Sequence, residues 1–371
     1  HDFRWIAYTA IDSEIAPKIL FQSKEMDLSF VFDKHDVTLA YGPFGSAMIQ
    51  KALKKVLKDL REIPHGVDPA IYHPVPADVA SEYKVSEMGL PKLSVLTGFF
   101  SRNQPRKNVP DAIKALGLLL HPRTFCADCG GIWLGVHSKC PGNRFEGTPI
   151  ARKCDQAKLS FGEPRKNLFL YLHMAAEDVG WHIPGLSARF GVEGTKRLLQ
   201  TAVGQVGVGV SEAELAMLYN VCDFTVLPTY REGFGMTVIE SMACGKPVVH
   251  TGWSGHCDFA VGPRICLDPA RPFTYETQSN LPNAMPHFAS LVMAIDQLAT
   301  DDEKDFRKAW GVPESAKILV GQAAREQQGA EALSVAERYD WKKVLPRWEA
   351  LVDEQIEIKR NRPAWTHLTK V

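Results

Sequence analysis

Short apolar runs alternate along this chain with longer segments of mixed apolar and polar positions. The runs Leu93–Thr97, Leu168–Leu172 and Phe224–Leu227 have the length of strands and are mostly apolar on both faces. Strands with two apolar faces are typical of parallel sheets covered by helices on both sides. Helix-type segments such as Pro110–Leu120 separate the runs. This alternation predicts an α/β fold with a doubly wound parallel sheet.

The first part of the chain repeats the pattern in a shorter form. We predict strands at Trp5–Tyr8 and Val37–Ala40, a polar helix around Ala16–Lys24 and a second helix at Ser46–Leu60. The first residue is His1, and strand-forming residues begin almost at once. We therefore expect the chain to begin inside a domain.

The chain of 371 residues is too long for one ordinary core and long enough for about two domains. Pro74 and Pro76 mark a linker between them. We assign residues 1–75 to an incomplete first domain and residues 76–340 to a second domain, with a cysteine-containing insert at about 122–166. Residues 341–371 are expected to form terminal helices that return to the first domain.

The most informative segment begins directly after the strand Phe224–Leu227. Residues 231–240 have the sequence REGFGMTVIE, and the helix that follows ends at Gly245. A strand, a glycine-containing loop and a helix in this order direct the N–H groups of a helix N-terminus at a ligand over the sheet, which suits a phosphate. Glu232 lies in the loop, and Glu240 lies one to two turns into the helix. A ligand with phosphate and hydroxyl groups could use all of these parts.

The spacing of Glu232 and Glu240 resembles the E-x7-E signature of retaining glycosyltransferases of the GT-B fold, family 4. Four further segments resemble family motifs and occur in the family's order, namely Ile63–Asp68, Ser101–Asn108, Tyr219–Asp223 and Asp340–Trp341. The resemblance covers roughly residues 1–120 and 168–355. It implies two Rossmann-like domains, the second of which binds a nucleotide-diphosphate sugar. The implied reaction transfers that sugar with retention of configuration and requires no metal cofactor.

The resemblance also assigns the groups that hold the diphosphate. Arg102 and Lys107 are expected to stabilise the leaving diphosphate in place of a metal. Arg106 is an alternative to Arg102 in this role. The remaining donor-binding positions implied for this loop and helix are Gly233, Phe234, Gly235, Met236 and Thr237.

The two glutamates and one histidine complete the implied site. Glu232 is expected to accept hydrogen bonds from the donor sugar and to favour the positive charge that develops at the anomeric carbon. Glu240 is expected to hold the ribose hydroxyls. His173 ends a strand at the edge of the sheet where ligands bind in such folds. It either contacts the nucleotide or is a structural histidine with its own hydrogen-bond partners.

Four of the eight cysteines lie in the insert, which the family pattern does not require. Cys126 and Cys129 form a C-x2-C pair, and Cys140 and Cys154 follow. Four thiolates would make a closed structural zinc site, with His137 as a substitute ligand. The alternative is a set of unliganded intracellular cysteines, because the second half lacks a C-x2-C pair.

Composition limits the partners and the location. The 43 basic residues equal the 43 acidic ones, so no basic excess indicates nucleic-acid binding. No apolar run of about 18 residues and no secretory leader is present, which favours the cytoplasm. One helix face carries Lys51, Lys54, Lys55 and Lys58, and it is either a peripheral membrane contact or a solvated surface.

Three functions remain open at this point. The first is sugar transfer from a UDP-, GDP- or ADP-sugar to an acceptor that the sequence does not identify. The second is nucleotide binding by a weak or inactive fragment or scaffold. The third is a nucleotide-sugar epimerase, although no carboxylates and histidine are arranged for proton abstraction. We expect the 371-residue chain to bind a nucleotide but to transfer sugar slowly or not at all.

Overall fold

The computed structural model describes residues 4–12, 18–21, 24–27, 35–53, 57, 59–140, 158–175, 178–201, 209–276 and 281–361. Its N-terminal part consists, in chain order, of β1 Ile6–Thr9, β2 Lys18–Phe21, β3 Lys24–Asp27, β4 Val37–Ala40, α1 Pro43–Leu53 and β5 Leu60–Glu62. Strands β1, β4 and β5 form a parallel sheet in the order β1-β4-β5, and β2 pairs with β3 in an antiparallel hairpin. All four residues of β4 are buried, as expected for the central strand.

Two predictions for this part are wrong in detail. The helix predicted around Ala16–Lys24 is replaced by the hairpin of β2 and β3, because antiparallel pairing supplies the backbone hydrogen bonds that a short helix would otherwise provide. The helix predicted to end at Leu60 ends at Leu53, and Leu60 begins a strand instead. The strands predicted at Trp5–Tyr8 and Val37–Ala40 are confirmed within two residues at each end.

The central part is larger. Its elements are α2 Ala77–Ser86, β6 Val95–Phe100, α3 Val109–Leu119, β7 Arg123–Cys126, β8 Ile132–Leu134, β9 Leu159–Gly162, β10 Leu168–His173, α4 Ile183–Arg189, β11 Leu198–Gln200, α5 Glu212–Val221, β12 Phe224–Leu227, α6 Met236–Ala243, β13 Val248–Thr251, β14 Arg264–Ile265, β15 Phe273–Tyr275, β16 Pro282–Ala284, α7 Phe288–Ala299 and α8 Glu303–Trp310. Six of the strands form one parallel sheet in the order β11-β10-β6-β12-β13-β14. Numbered within this sheet, the order is 3-2-1-4-5-6, which is the doubly wound nucleotide-binding arrangement.

Strand β6 lies at the centre of this sheet and is buried along its whole length. Val95 and Phe99 point into one hydrophobic core, and Leu96 and Phe100 point into the core on the other face. Gly98 has no room for a side chain, because a Cβ there would lie 2.4 Å from the Phe100 ring. The two apolar faces that the sequence pattern indicated are therefore both covered.

The chain ends in α9 Gly321–Ala336, a 3-10 turn Glu337–Tyr339 and α10 Trp341–Arg360. Helix α10 packs against the N-terminal sheet, where Val344 and Leu351 join Leu39 in one buried cluster. Arg61 forms a bidentate salt bridge with Glu354, with Nη1–Oε2 and Nη2–Oε1 distances of 2.5 and 2.7 Å. This helix therefore ties the end of the chain to its beginning.

The junction Ile63–Asp68 contacts the start of the same helix. The Val67 N–H donates to the Tyr339 carbonyl at 2.8 Å, and the Trp341 N–H donates to the Val67 carbonyl at 3.2 Å. Gly66 lies directly under the Trp341 ring, since a Cβ at Gly66 would be 2.4 Å from it. The division of the chain into domains at residues 75 and 340 stays a prediction.

The insert forms a small antiparallel sheet in the order β8-β7-β9. A buried ion cluster anchors it to α7. Asp296 is fully buried and accepts hydrogen bonds from Arg123 at 2.6 Å, from Arg165 at 2.5 Å and from the Trp310 indole at 2.7 Å. A buried charge without its partner costs free energy, so moving the insert away from α7 would be unfavourable. The cluster therefore fixes the position of the insert.

None of the helices in the described part of the chain has a stretch long and apolar enough to cross a bilayer. The predicted basic face extends over Lys54, Lys55 and Lys58, which lie outside the described residues. Membrane contact therefore stays a prediction.

Candidate active site

Two loops meet where the strand order of the central sheet reverses, between β6 and β12. The loop after β6 leads through a 3-10 turn at Pro105–Lys107 into α3. The loop after β12 leads into α6. Ligands bind at this switch point in doubly wound sheets, outside the carboxyl ends of the strands.

Backbone hydrogen bonds hold the two loops together. The Arg106 carbonyl accepts from the Tyr230 N–H at 2.8 Å and from the Thr229 hydroxyl at 3.0 Å. Asn108 adopts a left-handed conformation with φ +58° between the 3-10 turn and α3. Asn is one of the few side chains that tolerate this conformation, and it lets the chain turn sharply after Lys107.

The Glu232 carboxylate receives both neighbouring cations from that turn. The Lys107 ammonium donates to it directly, and Arg106 Nη1 approaches the same oxygen at 3.2 Å. Burial alone would raise the pKa of Glu232, but the charges of Lys107 and Arg106 outweigh it and hold that pKa below its usual value. Burial lowers the pKa of Lys107, and Glu232 opposes part of that shift. The site therefore contains a buried, ionised carboxylate held by two cations.

A third loop supports Glu232 from below. The Glu232 N–H donates to the Ser254 hydroxyl at 2.8 Å. Gly255 passes so close that a Cβ there would lie 1.9 Å from the Gly233 carbonyl oxygen. Gly235 has φ +97°, which glycine adopts readily, and α6 begins at the next residue.

The start of α6 offers free backbone donors. The first hydrogen bond of the helix runs from the Val238 N–H to the Gly235 carbonyl at 2.9 Å. The N–H groups of Met236 and Thr237 precede it and have no partner within the helix. Together with the partial positive charge of a helix N-terminus, they form a favourable place for an anion.

Arg102 is not brought to this cluster, in contrast to the expectation for it. Its guanidinium forms two hydrogen bonds to Asp178, at 3.1 and 3.0 Å, and its side chain is 60% exposed. The 3-10 turn directs Arg106 and Lys107 inward, whereas Arg102 precedes the turn and pairs with an acidic residue from the segment after β10. The structure thus brings Arg106, the alternative, to Glu232.

Glu240 lies in the second turn of α6 and has a separate partner. The Tyr219 hydroxyl donates to it at 2.8 Å. Burial raises the pKa of Glu240, although the hydrogen bond from Tyr219 opposes this shift. The Tyr219 ring is itself fixed by stacking on Phe100 with 4.0 Å between ring centroids. The aromatic stack therefore fixes the tyrosine that orients this carboxylate.

His173 lies at the end of β10 with its ring nitrogen already engaged. Its Nδ1 is 3.0 Å from the Tyr171 hydroxyl and 3.2 Å from the Thr201 hydroxyl. Burial lowers the pKa of His173, so the ring is neutral near pH 7. This geometry favours the structural alternative, and a nucleotide contact stays a prediction.

Two charged residues near Glu232 are not among the site residues predicted from the sequence. Arg231 is buried, donates to Glu276 at 2.8 Å and has its Nε 3.6 Å from the Asp12 carboxylate. Burial raises the pKa of Asp12, and the charges of Arg231 and Arg106 oppose this. Asp12 follows β1, so the carboxyl ends of the first strands of both sheets converge here. Its position after that strand was the signal that could have identified it.

A histidine lies behind the carboxylate. His256 is fully buried, and its Nε2 is 2.9 Å from the Thr251 carbonyl oxygen. Burial lowers its pKa to about 4, with the Glu232 charge opposing the shift. His256 is therefore neutral near pH 7 and supports the loop without adding charge.

A cleft of about 150 Å³ opens between the two sheets beside the Gly233 loop. Tyr41 and Phe234 line its apolar side, and Asp258 and Arg347 line its polar side. Asp258 also accepts a hydrogen bond from the Phe44 N–H at the start of α1 at 3.0 Å. The cleft therefore lies between two Rossmann-like units that are held together by side chains.

Comparison with known proteins agrees with this geometry. Residues 195–261, which include both Glu232 and Glu240, match the family described as "Glycosyl transferases group 1". The chain is 27% identical over 199 residues to D-inositol 3-phosphate glycosyltransferase of Stackebrandtia nassauensis, which covers 52% of this chain and 33% of that protein. It is 48% identical over 42 residues to an uncharacterized glycosyltransferase of Methanocaldococcus jannaschii, covering 11% of this chain and 12% of that one.

Solved structures resemble almost the whole chain. Sucrose-phosphate synthase from Thermosynechococcus elongatus aligns with a TM-score of 0.58 and 14% identity, covering 96% of this chain and 69% of that one. Anabaena HepE in complex with UDP-glucose aligns with a TM-score of 0.51 and 16% identity, covering 88% and 66%. At these identities the likeness shows the fold.

The fold and site define a GT-B protein with two Rossmann-like units. The family match confirms the resemblance seen in the sequence over residues 195–261, where the chain is similar to the group 1 glycosyltransferases. The aligned segment spans about a third of the length of the first curated relatives, 33% and 36%.

Proposed function

We propose that this protein is a retaining glycosyltransferase that moves a sugar from a nucleotide-diphosphate sugar to an acceptor without a metal ion at the reaction centre. The observation that carries the proposal is the convergence of Lys107 and Arg106 on Glu232 beside the N-terminus of α6. These groups have the charges and the positions that a leaving diphosphate needs.

The two cations take the role that a metal ion would otherwise have. A diphosphate leaving group develops negative charge as the bond to the sugar breaks, and charge-assisted hydrogen bonds from Lys107 and Arg106 stabilise it. The N–H groups of Met236 and Thr237 add donors to the same phosphates. Before the donor binds, Glu232 holds both cations in the loop that precedes α6.

Glu232 acts on the sugar. Its lowered pKa keeps it ionised, so it can accept hydrogen bonds from sugar hydroxyls and stabilise the positive charge at the anomeric carbon. Glu240 acts on the ribose of the nucleotide, with one carboxylate oxygen oriented by Tyr219. The attack comes from the face on which the nucleotide leaves, which retains the configuration.

The first donors to test follow from a structural neighbour. HepE was solved with UDP-glucose, so UDP-sugars are tested first, and GDP- and ADP-sugars follow. Binding is measured by calorimetry on the 371-residue chain. Transfer is measured with an acceptor library, and the anomeric configuration of the product is read by NMR.

The outcomes separate the alternatives. Transfer with retention supports the proposal, and transfer with inversion contradicts the proposed mechanism. Nucleotide binding without transfer or hydrolysis supports a binding scaffold. Conversion of the free nucleotide sugar into its epimer supports an epimerase. A Glu240→Ala variant that binds every nucleotide as tightly as the wild type contradicts the ribose assignment.

A further inference from the structure

The structure assigns a structural zinc site to Cys126, Cys129 and Cys140, at the end of β7 in the insert. Their three sulfur atoms lie within 4.8 Å of one another. They supply three of the four ligands of a tetrahedral zinc ion. Cys154, which the sequence predicted as the fourth ligand, lies outside the described residues.

The distance between two of the sulfurs has the value that zinc requires. Cys129 Sγ and Cys140 Sγ are 3.6 Å apart. A disulfide bond would place them about 2.05 Å apart, which excludes that bond between these two. Two sulfurs bound to one tetrahedral zinc at about 2.3 Å each lie about 3.8 Å apart. The observed distance therefore agrees with shared coordination.

The backbone between Cys126 and Gly131 forms a tight turn. The Gly130 N–H donates to the Cys126 carbonyl at 2.9 Å, and the Cys126 N–H donates to the Gly131 carbonyl at 2.9 Å. Gly130 has φ +67°, which closes the turn behind Cys129. This turn brings the Cys129 sulfur back to within 4.8 Å of the Cys126 sulfur.

The alternative ligand from the sequence analysis is occupied elsewhere. His137 Nε2 is 2.7 Å from the Leu134 carbonyl oxygen of its own hairpin. The His137 N–H also donates to the Thr124 hydroxyl at 3.0 Å. The described geometry therefore selects the three cysteines and leaves His137 in the hairpin.

The insert has a physical need for such a link. Its three strands contain 4, 3 and 4 residues, and sheets of this size contribute little stability unless they pack on a larger core. The ion cluster at Asp296 holds Arg123 at the beginning of β7 and Arg165 after β9, and Phe125 and Ile132 pack against the central core. A zinc ion at Cys126 fixes the opposite end of β7.

The zinc site is tested independently of sugar transfer, since none of the described residues of the insert takes part in the Glu232 cluster. Protein is purified under reducing conditions without chelator, and its metal content is measured by mass spectrometry. We expect about one zinc ion per chain, and less than about a tenth of that in the double variant Cys126→Ser, Cys129→Ser. Cys266 is an exposed cysteine outside the insert, so Cys266→Ser is the matched control. This variant should contain as much zinc as the wild type.

A second measurement keeps the test valid if the double variant fails to fold. Cobalt is added to the metal-depleted wild type, and thiolate coordination gives a charge-transfer absorption band that zinc then abolishes. Chelation should also speed proteolysis within residues 120–166, while calorimetric nucleotide affinity stays within about twofold. A reduced wild-type protein that lacks both zinc and the cobalt band overturns the inference, as does zinc retained by a folded double variant.

Discussion

Replacing Lys107 by alanine removes the cation that contacts Glu232 most closely. The side chain is buried, so water does not replace its charge fully. Arg106 stays 3.2 Å from the same carboxylate oxygen, and Glu232 therefore keeps one ionic partner. We expect the variant to fold and to bind the donor diphosphate more weakly.

The size of the loss follows from the contact that disappears. A hydrogen bond to a charged group contributes about 1.5 to 3 kcal/mol. At about 1.4 kcal/mol for each factor of ten, this corresponds to a roughly 10- to 150-fold loss. The loss should be larger in kcat/KM than in donor affinity, because the phosphate charge grows as the sugar bond breaks.

The assay compares three alanine variants under identical conditions. Donor affinity is measured by calorimetry and transfer by initial rates, for Lys107→Ala, Arg106→Ala and Arg102→Ala. Arg102 is exposed and pairs with Asp178, so its replacement should change both quantities by less than about threefold.

A larger loss for Arg102→Ala than for Arg106→Ala would refute the assignment of Arg106 and restore the one made from sequence. Equal rates for Lys107→Ala and the wild type would refute the diphosphate role itself. Circular dichroism and thermal unfolding of each variant control for misfolding.

Three further predictions concern stability and shape. Asp296→Ala removes the carboxylate partner of the buried Arg123 and leaves Arg165 paired with Asp305. It should lower the free energy of unfolding by about 3 to 5 kcal/mol in urea titrations; an unchanged midpoint would contradict the anchoring role. Gly255→Ala places a Cβ against the Gly233 carbonyl oxygen. This displaces the loop that carries Glu232, so donor binding should weaken by roughly tenfold or more. Gly209→Ala, whose Cβ meets nothing within 4 Å, should leave donor binding unchanged. Burial lowers the pKa of His256 from its ordinary value of 6.5 to about 4 in the folded protein. As the pH falls, this side chain is therefore protonated in the unfolded state before it is protonated in the folded state. Stability should therefore decrease between pH 6.5 and pH 4, by up to about 3 kcal/mol from this residue. In His256→Gln this decrease in stability should be smaller. An identical dependence of stability on pH in the variant and the wild type would refute the assignment to His256.

Much of the central sheet could be predicted because its signals are local. The apolar runs at Leu168–Leu172 and Phe224–Leu227 are strands, and the Ser211 hydroxyl caps α5 by accepting from the Glu214 N–H at 3.2 Å. Gly245 follows α6 with φ +70°, as a helix-ending glycine does. The hairpin at Lys18–Asp27 was missed because its strands are stabilised by pairing with each other, which a helical pattern in one segment does not reveal.

The sequence by itself determined the α/β architecture, the loop that carries Glu232 and the presence of Lys107 near it, since strand and helix periods, glycine turns and motif spacing are properties of neighbouring residues. Only the tertiary structure decided that Arg106 and not Arg102 reaches Glu232, that Asp12 and Arg231 stand beside it, and that three cysteines converge. These facts depend on side chains distant in sequence approaching within a few ångströms. Such an approach is set by how the loops pack, and no local pattern encodes it.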